Sequence, residues 1–265
     1  MIDQYTQYMI RRRRSPNTIR LRLFYLNKFW LWHHRELAQV TFDELEGYLY
    51  ENPDWSDNTR QSASASLKAF YGWAERENIL PVNLARDLPT INAQRRRPRI
   101  ASETAIRDAI ECPSLTDRAM IMLGAECGLR VSEIAHLNRN SRDGDWLHIV
   151  GKGGQQRSLN MSPELCGILN LIECTVMRNG YYFVGRSRCD PIHPSTAWRH
   201  ISVILKSNPH SLRRRAGTIV YRTSGHNIRL AQVFLGHKNS STTEGYLDIA
   251  DDDLILASTL TRLAA

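Results

Sequence analysis

The chain has 265 residues, a length that predicts two domains. Hydrophobic residues make up 42% of it and charged residues 23%, which is typical of a globular protein and excludes a largely disordered one. Lysine and arginine total 35 against 27 aspartate and glutamate, so the net charge of +8 favours a polyanionic partner.

Cysteine usage and hydropathy restrict the environment and the chemistry. The cysteines follow neither a CxxC nor a zinc-ligand spacing and are interpreted as buried thiols in a reducing cytosol; they are Cys112, Cys127, Cys166, Cys174 and Cys189. No apolar run reaches the ~18 residues of a membrane span, and a polar segment follows Met1. We expect a cytoplasmic protein without membrane association, metal or cofactor.

Helical signals dominate the first 91 residues. Ser15 and Pro16 form a good N-cap and first helical position, and the apolar residues that follow at helical spacing are Ile19, Leu23, Leu26 and Trp30. Thr41 and Glu44 predict a capping box that opens a second helix. Ser56 caps a third helix, in which the residues that share a face are Ala63, Leu67, Phe70 and Ala74. With a further helix near the N-terminus, this region predicts a helical bundle.

A polar, arginine-rich segment separates this bundle from the rest of the chain. Residues 92–101 show no apolar period, and the domains are therefore predicted as 1–91, 92–101 (linker) and 102–265. The linker arginines and the run Arg11 to Arg14 fit either a solvated surface or contact with phosphates, and both interpretations stay open.

The second half mixes helices with one β-hairpin. Helices are predicted over 103–112 and 116–126, and Cys127-Gly128-Leu129 supplies a glycine stop. Trp146–Val150 and Gln155–Met161 predict a hairpin whose turn carries Lys152 between glycines. The later predicted helices are 163–178, 194–206, 210–224, 227–235 and a tail helix at 251–262. The expected fold is mainly α with a small β-hairpin, as a helical domain followed by a mixed α/β domain.

One set of residues in the second half has the properties needed to attack a phosphodiester. Tyrosine titrates near pKa ~10, so a reactive tyrosine requires neighbouring cations and proton carriers. Arginine holds two phosphate oxygens at once and stays charged, lysine on a hairpin tip suits proton donation, and histidine suits proton transfer. The candidate catalytic residues are Arg130, Lys152, His210, Arg213, His237 and the nucleophile Tyr246.

These residues lie in segments that resemble the tyrosine recombinases, the phage integrase family. Gly128-Leu-Arg130-Val-Ser-Glu133 is similar to the first box of the family. His210-Ser-Leu-Arg213, Leu235-Gly-His237 and Thr242-Thr-Glu-Gly-Tyr246 are similar to the second box. The turn at Lys152 resembles the family's β-turn lysine, and the N-terminal helices resemble its core-binding domain.

The resemblance implies a role for each residue. Tyr246 would attack the scissile phosphate and form a 3′-phosphotyrosyl link, while Arg130 and Arg213 hold the phosphate. Lys152 would protonate the leaving oxygen, His210 would assist proton transfer, and His237 would hydrogen-bond the phosphate. Glu133 is expected to brace the site. Where the family often has a histidine after the second arginine, this chain has Arg214 and Arg215, which we expect to add positive charge beside the site.

The resemblance also implies an assembly and a partner. We expect four protomers on two DNA duplexes, in a short form without an arm-binding domain. An apolar strip in the tail is interpreted either as docking on a neighbouring protomer or as packing on its own domain; its residues are Leu254, Ile255, Leu256, Leu260 and Leu263.

Several activities remain open at this point. The favoured one is an integrase or excisionase of a phage or mobile element. The alternatives are a recombinase that resolves chromosome dimers, an enzyme like type IB topoisomerases, and a DNA-binding relative without catalytic activity.

Overall fold

The computed structural model describes residues 1–92, 99–151, 154–187 and 189–237. The chain divides into two compact units, Met1–Arg95 and Arg96–Ala265. The predictions for Lys152, Tyr246, linker residues 93–98 and the tail from 238 onward fall outside the described residues. Within the described ranges, no helix is long and apolar enough to cross a membrane. Of the cysteines predicted to be buried, Cys127 and Cys166 are buried, whereas Cys174 and Cys189 are exposed.

The first unit is helical throughout its regular structure. Its helices are α1 (Ile2–Arg11), α2 (Pro16–His33), α3 (Phe42–Tyr50) and α4 (Asp57–Arg76). The predicted caps are confirmed: Ser15 and Ser56 accept hydrogen bonds from backbone amides in the first turns of α2 and α4, and Thr41 and Glu44 form the reciprocal capping box. These bonds satisfy amides that a helix leaves without intrahelical partners.

The core of the first unit corrects one predicted face. The predicted face of α4 is fully buried, but α2 presents Leu26 and Phe29 to the core while Trp30 is 49% exposed. Phe29 lies three residues after Leu26 on the same side of the helix, and its ring packs edge-on against Tyr48, 5.0 Å between centroids. The prediction for Trp30 was therefore wrong by one position.

The second unit packs its helices around α6. In chain order the helices are α5 (Glu103–Ile110), α6 (Leu115–Ala125), α7 (Val131–Ala135), α8 (Pro163–Thr175), α9 (Pro194–Leu205), α10 (His210–Thr223) and α11 (Ile228–Leu235). Every residue of α6 from Ala119 to Ala125 is buried, and α5, α8, α9 and α10 pack against this helix. A buried central helix explains why the apolar run of α6 is continuous.

A small antiparallel sheet completes this unit. Its strands are β1 (Arg142–Asp143), β2 (Trp146–Val150) and β3 (Gln156–Asn160), in the order β1-β2-β3. The predicted hairpin is confirmed, and Ile149 pairs with Arg157 across it. Alternate residues of β3 face the core, so Arg157 and Leu159 are both buried.

Candidate active site

A glycine in the left-handed backbone conformation positions the first segment of the candidate site. Gly128 follows α6 with a φ of +59°, and its ideal Cβ position lies 3.1 Å from both Leu235 and Phe234. Only glycine fits this conformation and this approach without strain. The turn therefore brings the start of α7 against the end of α11.

Arg130 lies at that start and is held by Glu133. The carboxylate accepts hydrogen bonds from the Arg130 backbone amide and from its guanidinium, each 2.8 Å long. A second guanidinium nitrogen donates to the carbonyl of Gly236 at 3.3 Å. The Arg130 side chain keeps 28% exposure, so its charge is both oriented and accessible.

Arg213 is buried at the base of the same cluster. It projects from α10, is 1% exposed, and donates to the carbonyls of Gly128 and Leu235. Its guanidinium also lies 4.0 Å from Glu133 Oε2. One planar group thus joins the turn after α6 to the end of α11 and places a permanent positive charge between them.

His237 directly follows α11. Gly236 ends this helix with a φ of +63°, and the backbone amide of His237 donates to the carbonyl of Gln232. Burial, followed by the charges of Arg213, Arg130 and Arg157, lowers the pKa of His237 to about 4. Its imidazole is therefore neutral at pH 7.

His210 is the first residue of α10. Its backbone amide donates to Asn208 Oδ1 at 2.9 Å, which fixes the entry to the helix. Partial desolvation of the ring, followed by the charges of Arg213, Arg214 and Arg130, lowers the pKa of His210. A neutral imidazole beside cations has a ring nitrogen able to accept a proton.

The structure thus brings four of the six predicted residues together: Arg130, His210, Arg213 and His237. Gly151, the described residue directly before Lys152, has its ideal Cβ position 3.6 Å from Glu133 Oε1. The turn that carries Lys152 therefore starts beside the cluster.

Arg157 is the functional candidate that the sequence reasoning missed. It projects from β3 and binds both oxygens of Glu133, Nη2 to Oε2 at 2.7 Å and Nη1 to Oε1 at 3.2 Å. The alternation along β3 carried the signal, because Arg157 shares the core face with Leu159 and a charge on a core face requires a partner. Burial alone would raise the pKa of Glu133. The hydrogen bonds and charges of Arg157 and Arg130 outweigh burial and lower this pKa to about 2.

Of the two arginines after Arg213, only Arg214 adds positive charge beside the site as expected. Arg214 acts on the site, since its charge helps to lower the pKa of His210. Arg215 instead binds both carboxylate oxygens of Glu103 at 2.7 Å and donates to the carbonyl of Ala125. It joins α10 to α5 and α6, and its charge is neutralised there.

Chemically, the cluster offers two fixed guanidinium groups and two neutral imidazoles. Arg130 and Arg213 are held at rigid backbone positions, so binding a tetrahedral oxyanion would require little rearrangement. His210 and His237 add groups that can donate or accept protons. The arrangement fits a phosphate group.

Comparison with known proteins covers both units. Residues 99–253 match the sequence model of the "Phage integrase family", and residues 2–78 match "Phage integrase, N-terminal SAM-like domain". A "Tyrosine recombinase XerC" from Rhodospirillum centenum is 30% identical over 219 residues, which cover 74% of this chain and 64% of that relative. A "Tyrosine recombinase XerA" from Thermococcus onnurineus is 28% identical over 280 residues, covering 99% of this chain and 95% of the relative.

Among solved structures, a lambda integrase tetramer bound to a Holliday junction superposes with a TM-score of 0.72. The two chains are 16% identical, and the match covers 93% of this chain and 76% of the other. This likeness confirms the predicted fold class.

Proposed function

Since the chain belongs to the phage integrase family and is a tyrosine recombinase, we propose that it cuts and rejoins double-stranded DNA at specific sites through a 3′-phosphotyrosyl intermediate. The observation that carries this proposal is the gathering of His210 and His237 around Arg130 and Arg213. Two oriented cations and two neutral imidazoles suit a phosphodiester whose negative charge becomes concentrated during attack.

In this proposal Tyr246 is the nucleophile. Its phenolic oxygen forms a bond to phosphorus while the bond from phosphorus to the 5′ oxygen breaks. His210 accepts the phenolic proton, and Lys152 donates a proton to the departing 5′ oxygen. The reverse steps rejoin a strand, because the phosphotyrosine conserves the energy of the broken bond.

Arg130 and Arg213 hold the nonbridging oxygens in this scheme. Arg213 is locked by two carbonyls and Arg130 by a carboxylate, so both are oriented before DNA arrives. Preorganised charges stabilise a transition state more than mobile ones do. The neutral imidazole of His237 donates a hydrogen bond to the same phosphate.

The proposed partners are double-stranded DNA and further copies of this chain. Residues 1–91 are assigned to core DNA binding, 92–101 to the linker and 102–265 to catalysis. The structural relative described above is a tetramer on a Holliday junction, and this chain is proposed to act as a homo-tetramer whose C-terminal tail docks on a neighbouring protomer. The excess of basic residues suits the phosphate backbone.

For the biological role, the curated relatives favour chromosome-dimer resolution over integration. Both relatives described above carry Xer names, and Xer homologues point to resolution of chromosome dimers. Integration by a phage or mobile element is the second candidate, supported by the likeness of residues 99–253 to the phage integrase family. Deletion of the gene separates them: filamentous cells with unresolved chromosomes support the first role, and normal division overturns it.

A nicked suicide substrate tests the catalytic proposal. Cleavage beside the nick releases a short fragment, so the covalent complex of protein and DNA accumulates without magnesium. The parent protein should form this adduct, and Tyr246→Phe should lose it while still binding DNA in a mobility-shift assay. An adduct formed by Tyr246→Phe would overturn the assignment of the nucleophile.

Two further outcomes identify the other activities. Binding without an adduct in the parent protein would support an inactive DNA-binding relative. Relaxation of any supercoiled plasmid, without a specific site, would support an activity like that of type IB topoisomerases. Either result would overturn site-specific recombination.

A further inference from the structure

Arg157 and Glu133 form a buried, bidentate ion pair in the candidate site. Their side chains are 5% and 7% exposed, and the guanidinium binds both carboxylate oxygens. The same carboxylate also holds the backbone amide and guanidinium of Arg130. Glu133 thus lies between an arginine assigned to the phosphate and one that is buried away from it.

The Arg157–Glu133 pair affects the net charge of the described cluster. Arg130, Arg157 and Arg213 contribute three positive charges, and Glu133 contributes one negative charge. If Arg157 were neutral, Glu133 would offset half of the charge that Arg130 and Arg213 present to a phosphate. Charges in an enclosed region are weakly screened, so this difference is large.

We propose that Arg157 is a positioning residue that neutralises Glu133, so that the carboxylate can orient Arg130 without weakening the attraction of the site for the scissile phosphate. This inference rests on the proposed recombinase function. It assigns Arg157 no contact with DNA. The Glu133 carboxylate orients Arg130, and Arg157 compensates the negative charge of that carboxylate.

Packing supports the assignment. The ideal Cβ position at Gly236 lies 2.9 Å from Arg157 Nη1 and 3.1 Å from its Cδ, so the arginine also abuts the residue before His237. Its charge is among those that lower the pKa of His237. Arg157 therefore touches the segments that carry Arg130 and His237 while projecting from the strand that follows Lys152.

A double substitution tests charge compensation directly. Arg157→Met leaves Glu133 uncompensated, and we expect adduct formation on the suicide substrate to slow about 100-fold, because the free carboxylate weakens the attraction of the site for the phosphate. Adding Glu133→Gln removes the negative charge but keeps an acceptor oxygen for the Arg130 amide. The double variant should therefore react at least about tenfold faster than Arg157→Met, the non-additivity expected of coupled neighbours.

A second ion pair in the same unit, with a buried arginine and a carboxylate that is 19% exposed, provides the control. Arg142 is 6% exposed at its side chain and binds Glu173 at 2.8 Å, outside the candidate site. Arg142→Met should lower the unfolding temperature with little change in the rate of adduct formation by the folded fraction. Adding Glu173→Gln should not accelerate the reaction.

The outcomes are separable. A double variant no faster than Arg157→Met, or an Arg157→Met variant as fast as the parent, overturns the role of Arg157. Failure of the parent protein to form any adduct overturns the proposed function instead. If Arg157→Met does not fold, Arg157→Lys and Arg157→Gln replace it. Both variants lose the bidentate bond to Glu133, but only the lysine keeps the positive charge. Arg157→Lys should therefore react at least about tenfold faster than Arg157→Gln.

Discussion

Gly236 and Arg157 lie in direct contact: the ideal Cβ position of the glycine is 2.9 Å from Nη1 of the arginine, and the glycine has a φ of +63°. Gly236→Ala should therefore lower stability by about 1–3 kcal/mol, through left-handed backbone strain and displacement of the guanidinium. Since Arg157 abuts the segment before His237, adduct formation should also slow at least about tenfold.

Gly144→Ala is the matched control for that change. Gly144 has a φ of +56° with nothing within 4 Å of its ideal Cβ position, so this variant carries the backbone strain alone. Chemical denaturation and suicide-substrate cleavage should show a modest loss of stability and an unchanged rate. Equal effects of the two substitutions on cleavage would remove the contact with Arg157 as the cause.

Gly217 predicts a second steric effect, between α10 and α11. Its ideal Cβ position lies 2.7 Å from Leu235 Cδ1, and Leu235 is fully buried, so a methyl group here would force its side chain to shift within the core. Gly217→Ala should destabilise the protein by about 1–3 kcal/mol. Gly167→Ala in α8, where the space is open, should instead stabilise it by about 0.5–1 kcal/mol. Urea denaturation of both variants checks the opposite signs, and a shared sign would contradict the packing argument.

Much of the fold follows from local signals, and the unpredicted parts depend on tertiary contacts. The capping residues Ser15, Thr41 and Ser56 begin helices where predicted, because they satisfy backbone amides within one turn. The hairpin followed from alternation around a glycine-rich turn. By contrast, α7 has only five residues, too few to show a helical period, and was not predicted.

The candidate site divides in the same way. Arg130, His210, Arg213 and His237 were predicted because their types and order suit attack on phosphate, and the fold brings them together. Arg157 was missed because its partner Glu133 lies 24 residues earlier, and only the tertiary fold brings the two side chains together. The lesson for such sequences is that a charged residue on the core face of a strand requires a search for its partner.

Stability should depend on pH through two of these groups. The pKa of His237 is lowered from 6.5 to about 4, so between these values the unfolded chain binds a proton that the folded one does not. Stability should therefore fall by up to roughly 3 kcal/mol as the pH drops from 6.5 to 4. The pKa of Glu133 is lowered from 4.5 to about 2, and its contribution is lost in a lower window from pH 4.5 to 2, which overlaps the first only between pH 4.5 and 4.

His237→Asn separates the two windows. Denaturant unfolding at a series of pH values should show a smaller slope between pH 6.5 and 4 in this variant, with the slope below pH 4 retained. An unchanged slope in the upper window would mean that other groups, such as His210, dominate it.

Arg213 and Arg130 should respond differently to replacement by lysine. Arg213 spans two carbonyls, those of Gly128 and Leu235, and an ammonium group cannot reach both. Arg213→Lys should leave a buried carbonyl unsatisfied and lower stability by about 1–3 kcal/mol. Arg130 is partly exposed, and its neighbour Glu133 keeps Arg157 as a partner, so Arg130→Lys should change stability by less than about 1 kcal/mol.

Adduct formation should nevertheless fall at least about 100-fold in both variants, because each loses the oriented guanidinium group that is proposed to hold the phosphate. Thermal unfolding and suicide-substrate cleavage, measured on the same preparations, separate the two contributions. Cleavage at the parent rate in Arg213→Lys, despite lower stability, would confine Arg213 to joining the turn after α6 to α11. Of the two arginines, only Arg130 would then hold the phosphate, and the proposal that both hold its nonbridging oxygens would be overturned.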